Sequence, residues 1–241
     1  MCFHLRKLGS TKKYRQEQKQ FICDGIKLLN EAIESGIEID AVLTSEYLDI
    51  DLPKKTKVYK VSDDVLDSIS PLCNANKVVF SCKYIKEKTV DFTTGTHVLL
   101  DSVQDPGNVG TIIRNANAFG ISSVILTGST ADIYSPKVIR STMGAIFRQN
   151  ILFIKNSELI ELKDSGLRFI CAENSQNAVG VDKIDLDKSV IVMGNEGKGV
   201  SKEISKLCDT AVKIPLLNNV ESINVASATT IFMWEAMKGR E

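Results

Sequence analysis

The second part of the chain, from residue 97 onward, alternates regularly between apolar, strand-like segments and amphipathic, helix-like segments. Short, nearly continuous apolar runs such as "HVLLDSV", "SSVILTG" and "SVIVMGN" are separated by segments with the helical period. Apolar strands that alternate with helices are typical of a parallel sheet covered on both faces. We therefore predict an α/β domain that binds ligands beyond the carboxyl ends of its strands. The other predicted strands are "NILFIK", "RFICAEN" and "AVKIPL", and the predicted helices span 108–120, 135–147, 157–166, 201–209 and 223–238.

The first 85 residues predict a separate, smaller α/β domain. Apolar positions at helical spacing predict a helix over 20–36, with Gly36 as its C-cap. Further segments predict strands at 39–45, 56–62 and 77–85, and a helix at 62–70. Residues 86–96 are polar and lack apolar periodicity, which indicates a linker. The sequence thus divides into a small domain over 1–85, a linker over 86–96 and a large domain over 97–241.

The composition is that of a globular protein with a sizeable core. The chain has 241 residues, of which 43% are hydrophobic and 25% charged. No apolar run approaches the ~18 residues that a membrane span needs, and the first residues lack the apolar segment of a signal peptide. We therefore expect a cytoplasmic protein with no membrane partner. Six scattered cysteines without a C-x-x-C pair, and two histidines away from any cysteine cluster, predict buried reduced thiols and no metal site.

The formal net charge is zero, which argues against a protein that holds nucleic acid by charge alone. One segment is nonetheless basic, because Arg6–Lys19 carries six Lys and Arg residues against a single acid, Glu17. With Tyr14 beside these cations, the segment has the composition of a phosphate-binding edge with a stacking aromatic. A solvated helix end is the alternative.

Three loops are expected to meet at the carboxyl edge of the predicted sheet. The first, "DPGNVGTIIR" (105–114), leads from a strand into a helix, with Asn108 as a suitable N-cap. Apolar residues between Val109 and Ala116 recur at helical spacing and should face the core. Arg114 lies off this stripe among small residues, so its guanidinium has open space near a helix N-terminus and suits a phosphate or sugar oxygen. A solvated surface arginine is the alternative.

The second loop is "MGNEGKGVS" (193–201), which is neither a P-loop nor a G-x-G-x-x-G turn. Its glycines allow the backbone to approach a ligand closely. Glu196 would repel a triphosphate and can accept hydrogen bonds from hydroxyls or from Arg114.

The third loop, "IPLLNNVESINVASATT" (214–230), follows a predicted strand and leads into a helix rich in small residues. The loop itself contains residues with amide and hydroxyl side chains. Ser222 and Asn224 are either helix caps or neutral groups that orient a ribose. The helix that follows is interpreted as core or dimer interface. The residues behind this interpretation are Val225, Ala226, Ile231, Phe232, Trp234 and Met237.

Together the three loops resemble the three sequence motifs of the SpoU (TrmH) family of tRNA/rRNA 2′-O-ribose methyltransferases. The matching stretches are "DSVQDPGNVGTIIRNANAFG", "VIVMGNEGKGVS" and "IPLLNNVESINVASATT", in the family's order and spacing. The first part, with "KKYRQEQKQFICDG", is similar to the family's N-terminal RNA substrate-binding domain, which has a ribosomal-protein-like fold. The sequence departs from the family pattern at Asn218, where a glycine is usual, and at Ile223, where a leucine is usual.

The resemblance implies a fold, a cofactor and a reaction. The large domain would be a parallel-sheet α/β-knot domain of the SPOUT class, with a C-terminal trefoil knot, preceded by a small ribosomal-protein-like α/β domain. The protein would be a homodimer that uses S-adenosylmethionine, and no metal, to methylate a ribose 2′-hydroxyl in rRNA or tRNA, with rRNA favoured. The residues implied for the cofactor are Gly194, Ile214 and Ile223, with Gly199 and Leu216 from the same loops. The residues implied for catalysis are Arg114, Asn108, Glu196, Ser222 and Asn224.

The resemblance makes Arg114 the catalytic arginine, which in this family has been proposed as the base. Because arginine stays protonated in proteins, we expect Arg114 instead to bind phosphate and ribose oxygens and to stabilise developing negative charge. A substrate phosphate or solvent would accept the proton, and Glu196 and Asn108 would hold the guanidinium. Two other readings are an RNA-binding protein without catalysis and an NAD-dependent oxidoreductase. The intact Arg114, Glu196 and Asn224 argue against the first, and the missing dinucleotide fingerprint argues against the second.

Overall fold

The computed structural model describes residues 1–70, 77–164, 166–218 and 220–238. The chain forms two compact units, one of Met1–Lys86 with Asp132–Arg148 and the other of Glu87–Ala131 with Gln149–Glu241. The segment 132–148 thus joins the N-terminal unit, although the division predicted from the sequence placed it in the large domain. It does so because its helix contacts the first strand of that unit. The division into a substrate-binding and a catalytic domain stays a prediction.

The N-terminal unit is a four-stranded sheet with helices packed against it. Its strands are β1 (Gln20–Asp24), β2 (Ile39–Thr44), β3 (Lys57–Lys60) and β4 (Val78–Lys83), in the spatial order β1–β4–β2–β3. β4 runs antiparallel to β1 and β2, whereas β3 is parallel to β2. The helices are α1 (Cys2–Ser10), α2 (Lys12–Gln18), α3 (Ile26–Glu34), α4 (Asp63–Ile69) and, from the later segment, α6 (Pro136–Thr142). The strands predicted at 39–45, 56–62 and 77–85 and the helix at 62–70 are confirmed to within two residues.

Two predicted helices of this unit are partly wrong. The helix over 20–36 begins only at Ile26, because residues 20–23 are all buried and pair with β4 as a strand. A short apolar run fits both the helical and the strand period, so its pairing with another strand decides its structure. The helix over 135–147 ends at Thr142, since Met143 and Gly144 both adopt positive φ angles, of 49° and 89°.

Part of the basic segment 6–19 is engaged within its own unit, while Lys12, Lys13 and Lys19 are exposed. Arg15 is buried and donates to Asp132 at 2.7 Å and to the Leu8 carbonyl at 2.7 Å. The hydroxyl of Tyr14 bonds to His4, and Arg6 donates to the Ser68 carbonyl at 3.0 Å. Because a buried ion pair cannot lose one partner cheaply, Arg15 holds the unit together and does not serve as the phosphate ligand that the sequence suggested.

The C-terminal unit is built on a seven-stranded sheet in which every described pairing is parallel. Its strands are β5 (Thr96–Asp101), β6 (Ser123–Thr127), β7 (Ile151–Phe153), β8 (Arg168–Ala172), β9 (Val179–Gly180), β10 (Ser189–Met193) and β11 (Thr210–Lys213). Their spatial order is β7–β6–β5–β10–β8–β11–β9. The predicted parallel α/β architecture is therefore confirmed, while the two-residue strand β9 was missed because it is too short to show a pattern.

The helices of the C-terminal unit are α5 (Pro106–Ala118), α7 (Leu159–Lys163), α8 (Lys202–Ser205) and α9 (Val225–Lys238). α5 buries the stripe from Val109 to Ala116 that the sequence predicted. α9 packs on α5, and Asn115 donates to the Thr230 hydroxyl across this contact at 2.7 Å. Ala226 and Phe232 belong to the core as predicted, whereas the side chain of Trp234 is 47% exposed. In the described part of the chain, no helix has both the length and the apolar character needed to cross a membrane.

Candidate active site

The three predicted loops lie at the carboxyl edge of the parallel sheet. The first follows β5, the second follows β10 and the third follows β11. β5 and β10 are adjacent and in register, with Leu100 opposite Met193, so the first two loops leave the sheet side by side. β11 is separated from β10 only by β8. This edge is where α/β proteins bind their ligands.

The helix that follows the first loop begins earlier than the sequence suggested. Asp105 is its N-cap and accepts from the backbone N–H of Asn108 at 2.9 Å, with Pro106 at the first helical position. The prediction of Asn108 as the N-cap is therefore wrong, because proline favours the first turn and moves the cap to the residue before it. The Asn108 side chain lies inside the first turn and makes contacts outside its own loop.

Replacing Asp105 by alanine should lower the free energy of unfolding by about 1 kcal/mol, the usual contribution of an N-cap side chain. Asp105→Asn should retain most of the stability, since asparagine caps a helix equally well. Chemical denaturation of the three proteins measures the effect. Equal stability of Asp105→Ala and the unaltered protein would show that the cap bond contributes nothing.

Asn108 connects the second and third loops through its side chain. Its amide nitrogen donates to Glu196 at 3.1 Å, and its amide oxygen accepts from the side chain of Asn224 at 3.0 Å. The oxygen of Asn224 in turn accepts from the backbone N–H groups of Ala226 and Ser227, so Asn224 also caps α9. Three of the five predicted catalytic residues thus form one hydrogen-bonded chain, Glu196–Asn108–Asn224.

Glu196 binds the first loop by its carboxylate. Besides Asn108, the backbone N–H groups of Gln104 and Asp105 donate to it, each at 3.2 Å. Burial raises the pKa of Glu196, but the hydrogen bonds from Asn108 and these backbone groups outweigh it, and the pKa is lowered overall. The sequence analysis expected Glu196 to bind the guanidinium of Arg114. Among the described residues, Glu196 makes no ion pair with Arg114.

The lowered pKa of Glu196 predicts how the site depends on pH. A carboxyl group with a depressed pKa in the folded state stabilises that state above its unfolded pKa, and this contribution is lost as the pH falls through the folded value. Carboxyl ¹³C shifts of Glu196, followed by NMR from about pH 2 to 7, should give a midpoint below the ordinary glutamate value. Asn108→Ala should move the midpoint upward. A midpoint at or above the ordinary value would contradict these contacts.

Asn195 organises the second loop, and the sequence argument missed it. Its side-chain oxygen accepts from the backbone of Gly197 and Lys198 at 3.0 and 3.1 Å, and its amide nitrogen donates to the Ser102 carbonyl at 2.9 Å. Its backbone pairs with Gly199 in both directions. Asparagine is a common turn residue because its side chain bonds to backbone two residues on, but the bond of Asn195 to Ser102 could not be predicted from the sequence.

The glycines of the second loop differ in what they do. A Cβ on Gly194 would lie 2.1 Å from the carbonyl carbon of Gly199 and 2.2 Å from the nitrogen of Val200. The close approach at Gly194 is to the loop's own backbone, and its contact with the cofactor stays a prediction. Gly199 has a φ of +69°, and no atom lies within 4 Å of its added Cβ, so it borders open space.

The third loop presents apolar side chains at the same edge, and few of its described backbone groups are hydrogen-bonded within the protein. Ile214, Leu216 and Ile223 are half-buried, and Leu217 is 81% exposed. Asn218 has a φ of +58°, the left-handed conformation that glycine adopts most readily and that asparagine tolerates. Within the described residues between 216 and 223, one backbone–backbone hydrogen bond forms, from Val220 to Leu217 at 3.3 Å.

Arg114 is exposed on the third turn of α5. The prediction that it lies near the helix N-terminus is wrong by two turns, and the helix dipole acts only within the first turn. Its neighbours Gly110, Thr111 and Ala118 are small, as predicted. Neither the side chain of Arg114 nor that of Ser222 makes a hydrogen bond or ion pair within the part of the chain that the structure describes.

Residues 95–234 match the SpoU rRNA Methylase family, which is more than half of the chain. The chain belongs to the SpoU rRNA methylase family. Residues 4–79 match the MRM3-like substrate binding domain, so the predicted resemblance is confirmed for both parts. The RlmP protein of Bacillus subtilis, a 23S rRNA (guanosine(2553)-2′-O)-methyltransferase, is 32% identical over 93% of this chain and 91% of its own length.

Solved structures of SpoU relatives share the fold. The AdoMet-bound rRNA methyltransferase of Sinorhizobium meliloti is 28% identical, with a TM-score of 0.88 over 98% of this chain and 94% of that one. The SpoU methyltransferase AviRb of Streptomyces viridochromogenes, 24% identical, has a TM-score of 0.85 over 99% of this chain and 97% of that one, and is evidence for the fold alone. This SpoU chain therefore has the α/β methyltransferase architecture that its sequence motifs predicted.

Proposed function

We propose that this SpoU family chain transfers the methyl group of S-adenosylmethionine to a ribose 2′-hydroxyl of rRNA. The observation that carries the proposal is the hydrogen-bonded chain Glu196–Asn108–Asn224, which joins all three motif loops at the ligand-binding edge of the sheet. The rRNA 2′-O-methyltransferase activity named for the B. subtilis relative supports the reaction, and the AdoMet-bound S. meliloti relative supports the cofactor.

The residues at this edge fit S-adenosylmethionine. In the third loop, the described residues between 216 and 223 include backbone groups without a protein partner, besides the bonded Val220, Leu217 and Glu221, and these groups are available to a ligand. Half-buried Ile214, Leu216 and Ile223 give the apolar surface that an adenine ring requires. Gly199 borders open space in the second loop, while Gly194 keeps that loop folded. The cofactor, when bound, supplies a methyl group already activated on a sulfonium, so no metal is needed.

Arg114 serves as the RNA-binding cation of this site. Its guanidinium is exposed and unpaired in the described structure, so it is available to a phosphate and to the ribose oxygens. Arginine stays protonated, and Arg114 therefore stabilises the negative charge that develops on the 2′-oxygen while a substrate phosphate or solvent takes the proton. Ser222, also unpaired among the described residues, is placed in the third loop to position the ribose or the cofactor.

RNA is the proposed substrate because only RNA carries a 2′-hydroxyl. We favour rRNA over tRNA, since the N-terminal part matches a substrate-binding domain and the B. subtilis relative acts on 23S rRNA. The proposal includes the finer expectations of the family: a trefoil knot in the C-terminal unit, a homodimer that completes each site, and a cytoplasmic location.

The proposed function is tested by mapping 2′-O-methylated riboses in rRNA from cells with and without the gene. Loss of one modified ribose, restored by the unaltered gene, is the expected result, and an unchanged map in both rRNA and tRNA would contradict it. Calorimetry separates the competing readings. S-adenosylmethionine should bind and NAD should not, whereas binding of NAD would favour an oxidoreductase and binding of neither would favour a protein that only binds RNA.

A further inference from the structure

The N-terminal unit contains a cavity of about 780 Å³ that no predicted site residue lines. It lies between β1, the start of α3, the loop after β2, and α6, all within this unit. Its size is typical of sites for small molecules and nucleotides. Much of its wall is apolar, from Ile22, Ile26, Leu48, Val78, Ile139 and Met143.

The charges around the cavity are unevenly paired. Each carboxylate in the lining has a partner within the unit, and the pairs are Glu31–Arg148, Glu46–Lys77 and Asp24–Ser70. Lys27 and Arg140, also in the lining, are exposed, and no ion pair or side-chain hydrogen bond involves them among the residues that the structure describes. Glu31 and Glu46 are thus ion-paired, whereas the partner of Asp24 is the neutral hydroxyl of Ser70. Lys27 and Arg140 stay available to the phosphates of a ligand.

The lining of this cavity also includes an exposed aromatic residue. Tyr47 is 89% exposed, and within the described chain its ring contacts no other ring. Met143, 61% exposed, and Ile26, 44% exposed, add apolar surface beside it. Proteins bind unstacked RNA bases by stacking them on aromatic rings, and they bind the flanking phosphates with cations. The cavity offers an accessible aromatic ring, an apolar recess and two unpaired cations.

We infer that this cavity binds one unstacked base of the substrate RNA, with Tyr47 stacked on the base and Lys27 and Arg140 on the adjacent phosphates. The inference rests on the proposed function, since it takes RNA as the substrate. It adds a second surface to the basic segment 6–19, in which Arg15 and Tyr14 are engaged within the unit. The inference assigns recognition of the unstacked base to the α3–α6 cavity.

The test compares cavity variants with a charge-matched control in the full-length protein. The variants are Tyr47→Ala, Tyr47→Phe and the double variant Lys27→Ala/Arg140→Ala, and the control is Lys54→Ala/Lys55→Ala, two exposed lysines of the same unit outside the cavity. The probes are 23S rRNA from a strain lacking the gene and a single-stranded RNA decamer that contains 2-aminopurine, whose fluorescence is quenched by stacking.

Tyr47→Ala should weaken RNA binding about tenfold and abolish the quenching, while Tyr47→Phe keeps both, because stacking needs the ring and not the hydroxyl. Lys27→Ala/Arg140→Ala should reduce the slope of log K against log salt by about 1.4, or about 0.7 for each phosphate that the variant no longer neutralises. The control should change that slope by much less. Methylation should show a higher KM for RNA and an unchanged kcat.

Variants that bind RNA and methylate it with the unaltered KM would overturn the inference and leave the proposed function standing. Loss of quenching in Tyr47→Ala, in a protein that never methylates RNA, would instead contradict the proposed function and keep the cavity as an RNA site. A changed sedimentation coefficient of Tyr47→Ala with unchanged RNA affinity would assign the cavity to a second copy of the chain, which also overturns the inference.

Discussion

Replacing Arg114 by alanine should slow single-turnover methylation of rRNA by roughly 10²–10³-fold, the usual effect of removing one group that stabilises transition-state charge. The affinity for S-adenosylmethionine should stay the same. Arg114 is exposed, and in the described structure no side chain depends on it, so its loss should not disturb α5, whose buried stripe lies on the opposite side. The measured quantity is the rate with enzyme in excess over RNA, which reports the chemical step.

Arg114→Lys separates charge from shape. Lysine keeps the positive charge but lacks the planar guanidinium, which can donate to phosphate and ribose oxygens at the same time. We therefore expect a rate between those of the unaltered protein and Arg114→Ala. Lys188→Gln is the control, since this exposed lysine precedes β10 at the opposite edge of the sheet. Rates near that of the unaltered protein for both Arg114 variants would remove Arg114 from the mechanism.

Gly194→Ala should weaken S-adenosylmethionine binding by a factor of about 100 or more, because the added methyl group overpacks backbone that cannot yield without opening the loop. Its Cβ would lie 2.1 to 2.5 Å from backbone atoms of Gly199 and Val200. Opening there would break the paired backbone of Asn195 and Gly199 and displace the neighbouring Glu196. Calorimetry with S-adenosylmethionine gives the affinity directly.

Gly197→Ala is the matched control in the same loop. The nearest atom to its added Cβ is the side-chain oxygen of Asn195 at 3.8 Å, an ordinary contact, and its φ is not in the left-handed region. This variant should bind S-adenosylmethionine within a few-fold of the unaltered protein. Equal affinities of Gly194→Ala and Gly197→Ala would show that the fold of the second loop does not determine cofactor binding.

The sheet of the C-terminal unit was predictable because its strands are buried on both faces. The runs around Leu99, Ile125 and Val192 are apolar at nearly every position, and that pattern has few interpretations. The stripe on α5 was predictable for the same reason. The strand β1 was not predicted, because the apolar residues Phe21–Cys23 were assigned to the helix that follows. The Asp24-Gly25 pair between them is a turn signal that marks the break, and Gly25 has a φ of 101°.

The site was predictable as a set of loops but not as a set of contacts. The motif residues stood out by type and order, yet the bond from Asn108 to Glu196 joins positions 88 apart, and the bond from Asn195 to Ser102 joins positions 93 apart. No local pattern encodes such pairings, because they arise where the parallel strands end side by side. The same holds for Asp132, which lies far along the chain from Arg15 and pairs with it in the N-terminal unit.

The central claim is methyl transfer to a ribose, and one reaction tests it most directly. The purified full-length protein is incubated with methyl-labelled S-adenosylmethionine and 23S rRNA from a strain lacking the gene, and the RNA is digested to nucleosides for mass spectrometry. The expected result is label in a single 2′-O-methylated nucleoside, which accumulates roughly 10²–10³-fold more slowly when Arg114→Ala replaces the unaltered protein. Label on a base, or no label in the 23S rRNA, would contradict it.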